Sequence, residues 1–168
     1  MSAEADIKPN HCYHDAMTAA PIDLNTLRKA LAQLSEAITF WQERAEGDPL
    51  KPHLRSSVIQ SFEFSYELSV RAARRVLIER AESADLVRDL SFNDLIRRAM
   101  DAGFPMSLDA WRRWRDLRNG TSHAYDEERA QAVALGALAF AEEAHKLLAH
   151  LHVMTAPSPD TTPAPGDA

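Results

Sequence analysis

The sequence predicts an all-α protein, an antiparallel up-and-down four-helix bundle with one additional short helix. Three observations favour this fold class. Ala, Leu, Glu and Arg are abundant, whereas only 5 of the 168 residues are Gly. Apolar residues recur at spacings of three and four, which is the helical period. The links between the periodic segments are short, and amphipathic helices joined by short links form antiparallel bundles.

The first two helices are defined by apolar stripes and by residues that start or end helices. Asp23 is a candidate N-cap for the first helix, and Gly47 to Pro49 should end it. The second helix should run from about Pro52 to Glu82. The inward residues are Leu24, Leu27, Leu31, Leu34, Ile38 and Trp41 in the first helix, and Leu54, Val58, Ile59, Phe62, Tyr66, Ala73, Val76 and Leu77 in the second.

A short third helix should begin at Ser91 or Asn93 and end at Gly103 and Pro105. It is the additional helix of the predicted bundle. Ser107 can cap a fourth helix. The inward residues are Leu95, Ile96 and Ala99 in the third helix, and Leu108, Trp111, Trp114 and Leu117 in the fourth.

The fourth helix should stop near Asn119-Gly120, because Asn and Gly tolerate the left-handed conformation that often ends helices. Asp126 can cap the last helix, and Glu127 and Glu128 in its first turn complement the helix dipole. The last helix turns Val133, Ala137, Phe140, Ala144, Leu147, Leu148 and Leu151 inward.

We therefore divide the chain into a flexible tail at 1–21, a helical bundle at 22–153 and a disordered Pro-rich tail at 154–168. His11, Cys12 and His14 make only a weak case for a metal ligand set, so we predict no metal and no cofactor. The lone Cys12 excludes an internal disulfide and suits a reducing cytosol. No signal peptide or membrane-spanning run is evident, and the expected location is cytoplasmic.

The charge of the chain is unevenly distributed. The net charge is −6, which argues against general nucleic-acid binding by the whole surface. Between Arg71 and Arg118, however, 11 Arg face 8 acidic residues, a local charge of +3. A basic middle is compatible with a polyanion site, and equally with a solvated helical face that carries many arginines.

The run from Arg118 to Glu128 is the most informative part of the sequence. Arg118 offers a permanent cation that suits phosphate, and His123 can take or give a proton near neutral pH. Five positions on one helix rotate by about 140°, so the two side chains can meet only if the helix is interrupted between them. They would then suit metal-free RNA cleavage. The alternative is that both merely bond the helix ends around Gly120.

Other polar residues can complete such a site. Asn119 can orient a phosphate or the imidazole ring, and Arg115, Ser122 and Glu63 are predicted to bind substrate. Glu63 and Glu67 lie one turn apart on the second helix, where they either pair with Arg118 or another arginine, or form an exposed face. Two tryptophans could stack on bases, although their helical spacing favours the core; they are Trp111 and Trp114.

Two segments in this order resemble a known family. Ile59 to Leu68 (IQSFEFSYEL) followed by Arg118 to Glu127 (RNGTSHAYDE) resembles the nucleotidyltransferase substrate-binding proteins of the HEPN superfamily. The similarity spans about residues 24–152 and includes the helix from Phe92 to Gly103. It implies a HEPN-like bundle that commonly dimerises and is encoded beside a minimal nucleotidyltransferase, often as a toxin–antitoxin pair.

The resemblance also implies roles for individual residues. Arg118 and His123 match an Arg-x4-His motif that in many HEPN proteins is the active site of a metal-independent endoribonuclease leaving a 2′,3′-cyclic phosphate. Tyr125 matches a tyrosine to which the partner, using ATP, can attach AMP and so silence the nuclease. We thus expect a nuclease toxin that a nucleotidyltransferase antitoxin neutralises. The alternatives are a non-catalytic substrate-binding subunit of a two-component nucleotidyltransferase, and a purely structural bundle.

Overall fold

The computed structural model describes residues 22–121 and 126–156, and within these ranges the regular structure is helical with no strand. The prediction of an all-α protein is confirmed. Six helices occur in the described ranges: α1 (Asn25–Glu43), α2 (Lys51–Arg80), α3 (Asp85–Arg88), α4 (Phe92–Asp101), α5 (Leu108–Gly120) and α6 (Glu127–Thr155).

The core lies where α1, α2 and α6 pack against one another, with α5 set against α2 and α6. An aromatic cluster joins three of these helices, and Phe62 and Phe140 meet edge to face with ring centroids 5.1 Å apart. Trp111 is fully buried in this cluster, while Trp114 is buried and donates its indole N–H to Glu143 Oε2 at 2.9 Å. The core assignment of both tryptophans is therefore confirmed, and it fixes the position of α5.

The predicted helix starts are largely confirmed by their caps. Ser91 Oγ accepts from the Asp94 amide and Ser107 Oγ from the Ala110 amide, while Asp126 accepts from the first turn of α6. The first helix differs, because Leu24 is its N-cap. Asp23 instead accepts a hydrogen bond from the Asn25 amide at 2.8 Å.

One helix end was wrong and one short helix was missed. The first helix ends at Glu43 rather than at Gly47, since Arg44 is already extended and the last buried residue of the stripe is Trp41. The four-residue α3 was not predicted, because it is too short to show a period. The last helix ends at Thr155.

The fourth predicted helix stops where expected, but not for the expected reason. Gly120 is the last residue of α5, and Thr121 after it keeps a right-handed helical conformation. In the described ranges, only Gly47 and Gly103 have positive φ, at 87° and 83°. The prediction of a left-handed ending at Asn119-Gly120 was thus wrong. The hydroxyl of Thr121 lies 2.7 Å from the Arg118 carbonyl and so provides a polar partner at the helix end.

Arg74 of α2 clamps the segment that contains α3. Its Nη1 donates to the carbonyls of Val87 and Arg88 at 2.8 and 2.9 Å, and its Nη2 donates to the Leu90 carbonyl at 3.0 Å. One cation therefore satisfies three carbonyl groups around the end of a helix too short to be stable alone.

We expect Arg74→Ala to lower the free energy of unfolding by about 2 kcal/mol, because it leaves part-buried carbonyls without a charged donor. Urea unfolding followed by circular dichroism measures this. Arg75→Ala is the matched control, since the Arg75 side chain is 59% exposed and its ion pair with Glu79 is long, at 3.6 Å. Equal loss in both variants would show that the carbonyl clamp contributes nothing specific.

Residues 22–121 and 126–156 contain neither a membrane-spanning helix nor a metal-binding cluster. No helix there is long and apolar enough to cross a lipid bilayer. No group of three or more His, Cys, Asp and Glu side chains there could hold a metal ion. The weak candidate formed by His11, Cys12 and His14 lies outside the described residues.

Candidate functional site

Arg118 lies on the last turn of α5 and faces α2. Its Nη2 is 3.0 Å from Glu67 Oε1, and the two side chains are 41% and 43% exposed. The pairing of Arg118 with a carboxylate of α2, one of the two predicted alternatives, is therefore confirmed for Glu67. A half-exposed ion pair contributes only about 0–1 kcal/mol. An incoming anion can consequently compete with Glu67 for the guanidinium.

Glu63, one turn earlier on α2, has a different partner. Its carboxylate is bonded by the hydroxyl of Thr121, which is buried at the end of α5. The same hydroxyl lies 2.7 Å from the Arg118 carbonyl, and its single proton serves one acceptor at a time. Two carboxylates of α2 thus hold the end of α5 at neighbouring points.

A groove of about 320 Å³ opens beside the Arg118–Glu67 pair. All but one of its lining residues come from a single face of α2, at helical spacings, and Arg118 of α5 completes it. These residues are Gln60, Glu63, Phe64, Glu67, Leu68, Arg71 and Arg118. The groove therefore combines two cations, two carboxylates and an aromatic ring, a mixture that can receive a phosphate and an attached planar group. We call it the α2 groove.

Tyr66 lies behind the groove in the aromatic core. Burial raises the pKa of its phenol to about 12, and the nearby Glu67 adds to the rise, while Arg115 and Arg118 oppose it. The hydroxyl is therefore neutral at physiological pH. Tyr66 cannot supply a phenolate base to chemistry at Arg118.

The structure brings together some of the predicted site residues and not others. Arg118 and Glu63 both line the α2 groove. Arg115 does not line it, and its guanidinium instead lies over the Phe92 ring, 4.8 Å from the centroid. Asn119 is exposed beside Arg118 at the end of α5. The remaining predicted residues, Ser122, His123 and Tyr125, lie outside the described ranges.

Sequence reasoning missed Thr121, Phe64 and Arg71 as parts of this region. The bond between Thr121 and Glu63 joins residues 58 positions apart, which no local pattern reveals. Phe64 and Arg71 do share the spacing of Gln60, Glu63 and Glu67 on α2, so a helical projection of that segment would have grouped them.

A second cleft of about 450 Å³ lies between α5 and α6 and shares no lining residue with the α2 groove. Its walls are mostly apolar, including Trp114, Leu117 and Val133. A Cβ added to Gly136 would lie 2.5 Å from Leu117 Cδ2, so this glycine lets α5 approach α6 closely. This cleft therefore results from the close packing of α5 against α6, which sets the position of α5.

Comparison with known proteins identifies relatives that share this fold. Residues 22–153 match the family model described as nucleotidyltransferase substrate binding protein like. A Haemophilus influenzae protein named probable ribonuclease HepT is 34% identical over 121 residues, which cover 70% of this chain and 83% of that protein.

A solved structure from the same organism is similar as well. It is described as revealing the fold of a substrate binding domain of a nucleotidyltransferase. The match has a TM-score of 0.71 and 32% identity, and it covers 77% of this chain and 99% of the solved one. The chain described here therefore belongs to the nucleotidyltransferase substrate-binding protein family, with the HEPN-like helical bundle of that family.

Proposed function

We propose that this protein is a toxin-like, metal-independent endoribonuclease, paired with and neutralised by a minimal nucleotidyltransferase antitoxin. The observation that carries the proposal is the position of Arg118, a half-exposed guanidinium at the edge of a groove, which pairs with the half-exposed carboxylate of Glu67. The name of the H. influenzae relative, probable ribonuclease HepT, supports the same reaction class.

We propose that His123 acts beside Arg118, and the length of chain between them allows this. It follows Thr121 by two residues, and consecutive Cα atoms are about 3.8 Å apart, so its Cα lies within about 8 Å of the Thr121 Cα. Thr121 itself is anchored to Glu63 of the α2 groove. The proposal therefore brings the cation of Arg118 and the proton carrier His123 to the same phosphate.

The proposed chemistry uses both groups. His123 takes the proton from a ribose 2′-hydroxyl, whose oxygen then attacks the adjacent phosphorus while the bond to the 5′-oxygen breaks. Arg118 stabilises the charge that builds on the phosphoryl oxygens. The 5′-oxygen leaves with a proton from a second acid, and the products are a 2′,3′-cyclic phosphate and a 5′-hydroxyl. Asn119 is proposed to orient the phosphate or the imidazole, and Ser122, Glu63 and Arg115 to contact the RNA.

A second acid and further cations are proposed to come from a second copy of the chain. One histidine cannot remove and deliver a proton in the same step, and a two-fold homodimer duplicates every group at its interface. Sedimentation should accordingly give twice the 18.8 kDa of one chain. A strictly monomeric protein that still cleaves RNA would contradict the shared site.

The direct test is to incubate purified, partner-free protein with total tRNA and mRNA in EDTA. We expect cleavage of RNA, and no cleavage of DNA of matched sequence, because DNA lacks the attacking 2′-hydroxyl. Protein that leaves both RNA pools intact would overturn the nuclease proposal.

The second candidate function is a non-catalytic substrate-binding subunit of a two-component nucleotidyltransferase. It is favoured by the engagement of Arg118 with Glu67, and by the description of the solved relative as a substrate binding domain. An inert protein that nevertheless binds a nucleotidyltransferase encoded in the neighbouring reading frame would establish this alternative.

On the nuclease proposal, Glu67→Gln should lower the KM for RNA about threefold. Gln retains an oxygen that can accept from Arg118, while the substitution removes a negative charge that repels phosphate. At about 6 Å in water that repulsion is about 0.7 kcal/mol, which corresponds to roughly a threefold change. The effect should shrink at high salt.

Steady-state cleavage kinetics at two salt concentrations measure the effect of Glu67→Gln. Glu79→Gln, which also removes a carboxylate from α2 but lies outside the groove, should leave KM unchanged. A higher KM in Glu67→Gln would instead mean that the charge of Glu67 holds Arg118 in its working position.

A further inference from the structure

Phe64 is an exposed aromatic side chain in a polar groove. It lies on α2 and is 63% exposed, although neighbouring Phe62 is completely buried. It lines the α2 groove and also an adjoining groove between α1 and α2. The Phe64 ring is therefore not part of the hydrophobic core, and its exposed face is open to contact with a ligand.

The order of groups along α2 gives the ring a chemical context. Glu67, which holds Arg118, lies three residues after Phe64, and Arg71 lies four residues after Glu67. Glu67 marks the level of Arg118 along α2. At about 1.5 Å per residue, Phe64 is about 4.5 Å from Glu67 along the helix axis, and Arg71 is about 6 Å from Glu67 in the opposite direction. Along the axis of α2, the groove thus presents the Phe64 ring first, then Arg118, then Arg71.

Charge alone gives this groove little attraction for RNA. Its two cations, Arg71 and Arg118, are matched by the carboxylates of Glu63 and Glu67. A planar apolar surface supplies what the charges do not, because a base stacked on an aromatic ring contributes binding that is independent of sequence. Paired bases in a duplex cannot reach such a ring, so the geometry requires an unpaired nucleotide.

We propose that Phe64 is the stacking platform for an unpaired base beside the phosphate bound at Arg118, and that Arg71 binds the next phosphate. The substrate class is therefore single-stranded RNA or a loop. This inference rests on the proposed nuclease function for the identity of the phosphate at Arg118, and it adds a residue that determines substrate preference.

Binding and cleavage should be measured separately, so that the two proposals can fail independently. Binding uses a fluorescent single-stranded oligonucleotide whose 2′-positions are methylated, which prevents cleavage, and cleavage uses the same sequence as RNA. We expect Phe64→Ala to raise Kd and KM about tenfold and to leave kcat within about twofold, because stacking holds the substrate without touching the reacting atoms. Phe64→Trp should retain wild-type affinity. Phe40→Ala, the loss of another exposed phenylalanine on α1, should change neither constant.

A second binding experiment, which is more specific, uses a substrate that lacks one base. Removing the base on one side of the scissile phosphate should weaken binding to the wild type about tenfold but have no further effect on Phe64→Ala, since both changes remove the same contact. Equal losses in wild type and variant would overturn the stacking proposal. So would a Phe64→Ala protein that keeps full affinity for RNA but sediments as a monomer, which would assign the ring to contact with a second copy. A wild type that binds but does not cleave would sink the nuclease proposal alone.

Discussion

His123→Ala and Arg118→Ala are each expected to lower kcat for RNA cleavage by about 10²- to 10⁴-fold. On the proposed mechanism, removal of His123 deletes the group that takes the 2′-hydroxyl proton. Removal of Arg118 leaves the charge on the phosphoryl oxygens uncompensated. Arg118→Lys should recover only part of the rate, because a lysine keeps the charge but not the planar fork that binds two oxygens. Single-turnover cleavage in EDTA measures all three variants.

Stability must be unchanged for these results to report on chemistry. The Arg118–Glu67 pair is half exposed, so its loss should cost no more than about 1 kcal/mol of unfolding free energy. Arg28→Ala is the matched control, because this exposed arginine on α1 bonds only Asn25 among the described residues and lies outside the α2 groove. If either of the two alanine variants cleaves RNA at the wild-type rate, the residue concerned has no catalytic role.

On the proposed function, co-expression with a nucleotidyltransferase encoded in the neighbouring reading frame should add AMP to Tyr125 and abolish cleavage. Tyr125 follows His123 by two residues, so an attached phosphodiester and adenosine would be held near Arg118. The phosphate would occupy the guanidinium and the adenosine would exclude RNA. The intact mass should rise by about 329 Da for each AMP added.

Tyr125→Phe should keep its unmodified mass and escape silencing. Tyr66→Phe is the matched control, because the buried Tyr66 is not available to another enzyme and its loss should leave the modification in place. An unmodified wild-type mass after co-expression with a demonstrably active transferase would exclude this mechanism. Silencing would then have to come from complex formation alone.

The fold was predictable because the helical period, the caps and the short links all pointed to the same architecture. Ser91, Ser107 and Asp126 start helices in the structure as their side-chain chemistry predicts. The period also placed Trp111 and Trp114 in the core. The short helix α3 could not be seen, because its four residues are held by Arg74 from a distant part of the chain rather than by a local pattern.

The site was predictable only in part, since its chemistry is local but its geometry is not. Arg118 was identified from its neighbours in sequence, and a carboxylate of α2 was anticipated as its partner. That Glu67 binds the guanidinium while Glu63 binds Thr121 depends on how α5 docks against α2. The groove that adds Phe64 and Arg71 depends on the same docking. Roles for Ser122, His123 and Tyr125 remain predictions that the described residues do not address.

The most direct test of the central claim uses a DNA oligonucleotide that contains a single ribonucleotide, incubated with the partner-free protein in EDTA. The account predicts cleavage at that one position, with products whose masses correspond to a 2′,3′-cyclic phosphate on one fragment and a 5′-hydroxyl on the other. Replacing the ribonucleotide by its 2′-methoxy form should prevent the reaction. Products that end in a 5′-phosphate, or cleavage that persists after the 2′-hydroxyl is blocked, would contradict the proposed mechanism.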